Sequence, residues 1–131
     1  MEAELYVLKS PELEVHVTNL GATLVRVITP DNAGKPTDIL LGLERASDYD
    51  SPAYIAGGSY LGACIGRYGN RIAQGKFSID GREFQLAVNN GPNHLHGGHR
   101  GFDRKLWTKV EQGSSSVVLR YKSPDGEENY P

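Results

Sequence analysis

The chain predicts an all-β fold, an antiparallel β-sandwich, and three observations carry that expectation. Short runs rich in β-branched and aromatic residues recur along the 131 residues, several with a period of two. Glycine and proline, at 16 and 7 copies, separate those runs at turn-sized intervals. The 3.6-residue apolar period of an amphipathic helix is hard to find. Regular short strands with such turns are the pattern of a sandwich built largely from hairpins.

Taken in order, Leu13 to Asn19 alternates apolar and polar residues, as a strand with one wet face does. His16 falls on its polar side and reads as a solvated strand residue. Thr23 to Thr29 is the next strand. Pro30-Asp-Asn-Ala-Gly-Lys-Pro36 is dense in turn formers and returns the chain into an antiparallel strand, Thr37 to Leu41. A short helix is expected near Leu43 to Tyr49, with Ser47 or Asp48 as its cap. The apolar run Tyr60 to Ile65 reads as a buried strand. Phe77 to Phe84 is a hairpin, because Asp80-Gly81 supplies the positive φ angles of a type I′ turn between two alternating runs. Trp107 to Glu111 and Ser116 to Lys122 pair around Gln112-Gly-Ser-Ser115, and Ser123-Pro-Asp-Gly126 is a further turn. The last residues read as a lead-in without a docked strand. Residues 1–131 are therefore expected to be the N-terminal part of a single sandwich domain, truncated on its C-terminal side, with an open edge prone to association.

Composition narrows the function classes. Hydrophobic residues at 38% and charged residues at 23% describe an ordinary globular protein. A net charge of -2, with scattered basic residues, gives no electrostatic ground for nucleic acid or an anionic membrane as partner. Cys64 stands alone in an apolar run, which excludes an internal disulfide, fits a reducing compartment and reads as a buried structural thiol. The acidic start lacks a secretory pattern and no apolar run reaches membrane-spanning length, so a cytoplasmic location is expected.

Chemistry concentrates between Asn89 and Trp107. Three of the four histidines lie there among glycines, amides and guanidinium groups, a mixture that no packing requirement calls for. His94, His96 and His99 have the spacing His-x-His-x-x-His, which could bring two imidazoles to a metal. No cysteine joins them and Asp103 is the nearest carboxylate, so no metal is expected. One of the three is better suited to hydrogen bonding or proton shuttling, since imidazole both donates and accepts. The plainer reading makes all three loop histidines without a role. A second cluster, Gly66-Arg-Tyr-Gly-Asn-Arg-Ile72, joins a guanidinium to an amide. Those groups suit a polyhydroxylated ligand, and they suit a structural salt bridge equally well.

Together these clusters resemble the aldose 1-epimerase family, also called galactose mutarotase. The matching pieces are Asn19-Leu-Gly-Ala22, Gly66 to Ile72, Phe77 to Phe84, Asn93-His-Leu-His-Gly-Gly98, Gly101-Phe-Asp-Arg-Lys-Leu-Trp107 and Ser123 to Pro131. They occur in the family's order and cover nearly the whole chain. The resemblance implies a galactose mutarotase-like supersandwich, of which this chain is the N-terminal portion, and interconversion of the α and β anomers of a free aldohexose. It implies that Asn70 and Arg71 bind sugar hydroxyls and that His96 contacts the pyranose near its ring oxygen. His94 and His99 match no catalytic position. The family's acid histidine and base glutamate fall beyond residue 131, so no catalytic residue is expected in this chain and little activity from it alone. No cofactor is implied. Tyr68-Gly69 stands where the family pattern has Val-Ala, a departure that bears on substrate preference. Three alternatives stay beside this reading: a non-catalytic carbohydrate-binding or regulatory module using Asn70, Arg71 and His96; a metal-dependent β-sandwich using the three histidines; and a hexose-phosphate epimerase drawing on Arg71, Arg100 and Arg104.

Overall fold

The structure is a computed structural model and describes residues 2–131. Ten strands follow one another: β1 (Leu5–Lys9), β2 (Glu14–Thr18), β3 (Thr23–Pro30), β4 (Pro36–Asp38), β5 (Arg71–Ala73), β6 (Lys76–Ile79), β7 (Arg82–Gln85), β8 (Asn93–Leu95), β9 (Thr108–Gln112) and β10 (Val117–Arg120). Every pairing among them is antiparallel, as the hairpin-dense sequence requires. One short helix, α1 (Pro52–Gly57), and three 3₁₀ turns complete the described residues. The chain divides into two compact units, residues up to 64 with 106–121, and residues 65–105 with 122–131.

The first unit is built on a four-stranded sheet in the order β1-β2-β3-β4, with β9 and β10 as a separate hairpin. Pro30 to Pro36 turns as expected, since Asp31 Oδ1 accepts the backbone N–H groups of Ala33 and Lys35 at 2.8 and 2.9 Å. Leu20, Val25 and Tyr49 form the core, with Leu43, Tyr54, Leu61 and Leu106 packed around them. Tyr49 keeps its hydroxyl satisfied by accepting the Leu43 N–H at 2.9 Å.

In the second unit β5 pairs with β8 and β6 with β7. The β6–β7 turn is the expected one: Asp80 and Gly81 both have positive φ, 50° and 77°. Phe77 and Phe84 stack across it at 5.3 Å between ring centroids.

Several local expectations are revised. Thr37 to Leu41 is strand only as far as Asp38, with the Ile39 N–H still donating to the Val27 carbonyl at 2.8 Å. The helix foreseen at Leu43 to Tyr49 is a 3₁₀ turn over Ala46–Asp50, and α1 follows it, with Ser51 Oγ accepting the Tyr54 N–H at 3.3 Å. Tyr60 to Ile65 is irregular chain, not a buried strand, and Cys64 in it is only half-buried. His16 is not solvated: its side chain is 14% exposed and closes on Glu14 at 2.6 Å, the residue two places back on the same strand face. Strands β1, β5 and β8 have no counterpart among the sequence expectations.

Candidate functional site

The second unit places the sequence-selected residues on one short ladder. β5 and β8 pair Arg71 with Leu95, Ile72 with His94 and Ala73 with Asn93. At the open end of that ladder stand Asn70 and His96, and they hold each other. The Asn70 N–H donates to His96 Nδ1 at 2.9 Å, and the His96 N–H donates to the Asn70 carbonyl at 3.1 Å. Both have left-handed backbone, φ 65° and 50°, which is unfavourable for residues other than glycine and persists where surrounding bonds determine it.

These contacts set donor and acceptor roles. Because Nδ1 of His96 accepts a backbone N–H, its neutral ring carries the proton on Nε2 and offers a donor there. His94, two residues away, is the opposite case. Its Nδ1 lies 2.8 Å from the Ala87 carbonyl, which only accepts, so Nδ1 carries the proton and Nε2 accepts the Tyr130 hydroxyl at 2.6 Å. Arg71 is aimed by two amides. Its Nε donates to Asn90 Oδ1 at 2.9 Å and one terminal nitrogen donates to Asn70 Oδ1 at 3.3 Å. Asn70 and Arg71 are exposed and His96 is half-buried, so the three form a polar surface against which hydroxyl groups can be matched.

The three histidines of the loop therefore separate. His94 is fully buried in strand β8 with both ring nitrogens bonded, a core histidine and not the loop residue expected. His99 is exposed. No group of three or more His, Cys, Asp or Glu side chains gathers in metal-binding geometry among the described residues. Arg104 turns to the neighbouring Asp103 at 3.8 Å. Burial pushes the Asp103 carboxyl above the ordinary carboxylate range, against the pull of Arg104, and the nearby Glu128 charge pushes it the same way. Burial likewise raises the Tyr130 phenol.

Beside the ladder opens a cleft of about 480 Å³, lined by Arg67, Tyr68, Arg71, Ile72, Phe77 and Tyr130 among others. Its size suits a small ligand. Arg71 is the one member of the trio that lines it, and Tyr68, the departure from the family pattern, lines it too and is 52% exposed. A groove of about 400 Å³ in the first unit is lined mainly by Leu13, Val15, Val17, Leu24 and Leu119. With few polar groups, it lacks the chemistry of the second-unit cleft.

Sequence reasoning missed the residues that hold this site. Asn90 aims Arg71, and Asn89 pins β8 by accepting the Leu95 N–H at 2.7 Å and donating to the Leu95 and Gly98 carbonyls at 3.0 Å. Arg67 donates to Ser123 Oγ and to the carbonyls of Pro124 and Pro131. The two asparagines lay inside the polar stretch already singled out. For Arg67 the partners are more than 50 residues away, and no local pattern reveals them.

Comparison with known proteins adds relatives that resemble the chain over nearly its full length. A family model described as Aldose 1-epimerase matches residues 4–131. A galactose mutarotase of Sus scrofa is 42% identical over 128 residues, covering 98% of this chain and 36% of that protein. An aldose 1-epimerase of Escherichia coli (strain K12) is 37% identical over 117 residues, covering 89% and 32%. Among solved structures, an aldose epimerase homologue from C. elegans superposes with a TM-score of 0.89 at 26% identity, covering 98% of this chain and 38% of that one. A galactose 1-epimerase from Lactobacillus acidophilus NCFM gives 0.77 at 27%, covering 100% and 41%. The all-β antiparallel class expected from the sequence is the class of the chain. It spans about a third of the length of these curated relatives.

Proposed function

Because the chain belongs to the aldose 1-epimerase family, we propose that residues 1–131 are the N-terminal part of a single-domain enzyme that interconverts the α and β anomers of a free aldohexose such as galactose or glucose. The observation that carries this is the mutual bonding of Asn70 and His96 at the end of the β5–β8 ladder, with Arg71 aimed beside them. A pyranose presents hydroxyls that both donate and accept and a ring oxygen that only accepts. Asn70 and Arg71 meet the hydroxyls, and the Nε2–H of His96 meets the ring oxygen.

Anomer exchange opens the ring at the anomeric carbon, rotates about the C1–C2 bond and closes on the other face. A base takes the proton of the anomeric hydroxyl while an acid protonates the ring oxygen, and the two exchange roles on closure. In this reading His96 binds and polarises, and the acid histidine and base glutamate lie outside these 131 residues. Positioned acid and base groups are each worth roughly 10²–10⁴ in rate, so residues 1–131 alone bind sugar without turning it over. The sugar is the partner, and the single cysteine supports a cytoplasmic setting. No helix among the described residues is long and apolar enough to cross a membrane.

Polarimetry of freshly dissolved α-D-galactose, paired with a galactose titration followed by NMR, tests the proposal. The expected result is no acceleration by residues 1–131, with saturable shifts near Asn70, Arg71 and His96 that His96→Ala and Arg71→Ala abolish. Acceleration lost on His96→Ala would place the acid and base inside this chain. A folded chain whose spectrum ignores galactose would overturn the site.

A further inference from the structure

Three side chains of the segment Glu127 to Tyr130, those of Glu127, Glu128 and Tyr130, reach the histidine stretch. Glu127 pairs with Lys105 Nζ at 2.6 Å. Glu128 accepts two consecutive backbone N–H groups, that of His99 on Oε2 at 2.9 Å and that of Arg100 on Oε1 at 3.1 Å. Tyr130 donates to His94 Nε2 at 2.6 Å. His96 therefore lies between two clamps, one on the residue two places before it and one on the residues three and four places after it.

The Glu128 clamp is built closely. A Cβ on Gly98 would fall 2.2 Å from Glu128 Oε2, and Gly98 has a φ of +104°, so the carboxylate fills space that only glycine leaves there. Glu128 has left-handed backbone, φ 52°, an unfavourable setting that its bonds over-determine. A carboxylate shared by two adjacent N–H groups fixes both amide planes, because charge-assisted bonds are short and strong. The turn that carries Glu128 is itself anchored through Ser123, which Arg67 and Glu127 both reach.

We infer that Glu128 is a positioning residue for the sugar contact: its carboxylate holds the His99–Arg100 amides and, with Tyr130 on His94, fixes the loop so that His96 keeps its Nδ1 on the Asn70 N–H and presents Nε2–H to the ligand. The inference rests on the sugar-binding reading above. A loop staple with no bearing on His96 is the competing account, and the imidazole nitrogens distinguish the two.

The experiment uses residues 1–131 labelled with ¹⁵N at histidine. The His96 nitrogen shifts are read first without sugar, and galactose is then titrated. Glu128→Ala is expected to average the two His96 nitrogens toward mixed tautomers and to weaken galactose binding about tenfold, the scale of one lost hydrogen bond or slightly more. Glu128→Gln keeps one accepting oxygen but sets an NH₂ against the second N–H, so it should fall between alanine and wild type. A wild-type His96 pattern and wild-type affinity in Glu128→Ala overturn the inference. If the alanine variant does not fold, the glutamine variant decides by the same signals, and a wild-type pattern there overturns it equally. The sugar-free shifts judge Glu128 even where the wild-type chain gives no galactose response, an outcome that counts against the sugar reading instead.

Discussion

Leu20 in the first unit and His94 in the second are both buried, at 5% and 0% exposure, and they are held in opposite ways. Leu20 packs with Val25 and Tyr49 among partly buried aliphatic and aromatic neighbours, and the surrounding sheet has strands of up to eight residues. His94 sits in a strand of three residues and is held by two hydrogen bonds, one to the Ala87 carbonyl and one from Tyr130. Among the described residues, the buried apolar side chains Tyr6, Val17, Leu20, Val25 and Tyr49 lie in the first unit, and only Leu86 and Tyr130 in the second. The first unit joins an apolar core to buried, hydrogen-bonded polar residues such as Thr18, Asn19 and Thr23, whereas the second has little apolar burial and holds its histidine stretch mainly by side-chain-to-backbone bonds. A loop held by such bonds can display polar groups to a ligand without sinking them into a core, which suits the second unit to binding.

The contrast is open to direct test. Leu20→Ala removes buried methyl groups and leaves a cavity in a close-packed cluster, so it should cost about 2–5 kcal/mol. Urea unfolding measures it as a lower midpoint at unchanged slope. A loss well under 1 kcal/mol would break the claim that this core carries the first unit. Tyr130→Phe comes next. It keeps the ring against Phe77 and His94 but leaves Nε2 of a fully buried imidazole without its donor, at about 1–3 kcal/mol. Amide exchange at Ile72 and Leu95, which flank His94 across and along the ladder, should rise with it. Exchange unchanged at both would show that the Tyr130–His94 bond is incidental to the second unit.

What the residues disclosed in advance follows the same division. The β6–β7 hairpin was legible because Asp80-Gly81 carries its turn within two residues, β2 because alternation survives over its five positions, and β3 because a β-branched run ends at a dense turn. Three-residue strands such as β5 and β8 are too short to show any period, so the ladder joining Asn70 to His96 was hidden although both residues had been selected. The start of α1 carried a readable signal that was passed over, Ser51 as cap followed by Pro52 at the first helical position. His94 looked like a loop residue because its strand is three residues long and one of its two ring partners, Tyr130, lies 36 positions away. The Glu128 clamp spans 28 and 29 positions and left no local trace. Residue chemistry marked the two polar clusters, the family resemblance narrowed them to Asn70, Arg71 and His96, and the long-range bonds that orient these three came only with the fold.

The smallest expected effect concerns charge inside the polar unit. Asp103 is 13% exposed, and burial raises its carboxyl pKa more than the Arg104 guanidinium at 3.8 Å lowers it. A carboxyl whose folded pKa lies above its unfolded value binds protons more tightly when folded. Its contribution to stability is therefore complete below the ordinary value of 3.8 and is lost as pH rises through the folded pKa. Asp103→Asn keeps the shape and removes the charge, so the asparagine variant should gain on wild type as pH is raised from below 3.8 to 7. Urea unfolding of both proteins across that range isolates the effect, because every other titrating group is common to the pair. An advantage that shrinks with rising pH would mean the Arg104 pair outweighs desolvation. Ionic pairing would then join hydrogen bonding among the forces that hold the second unit.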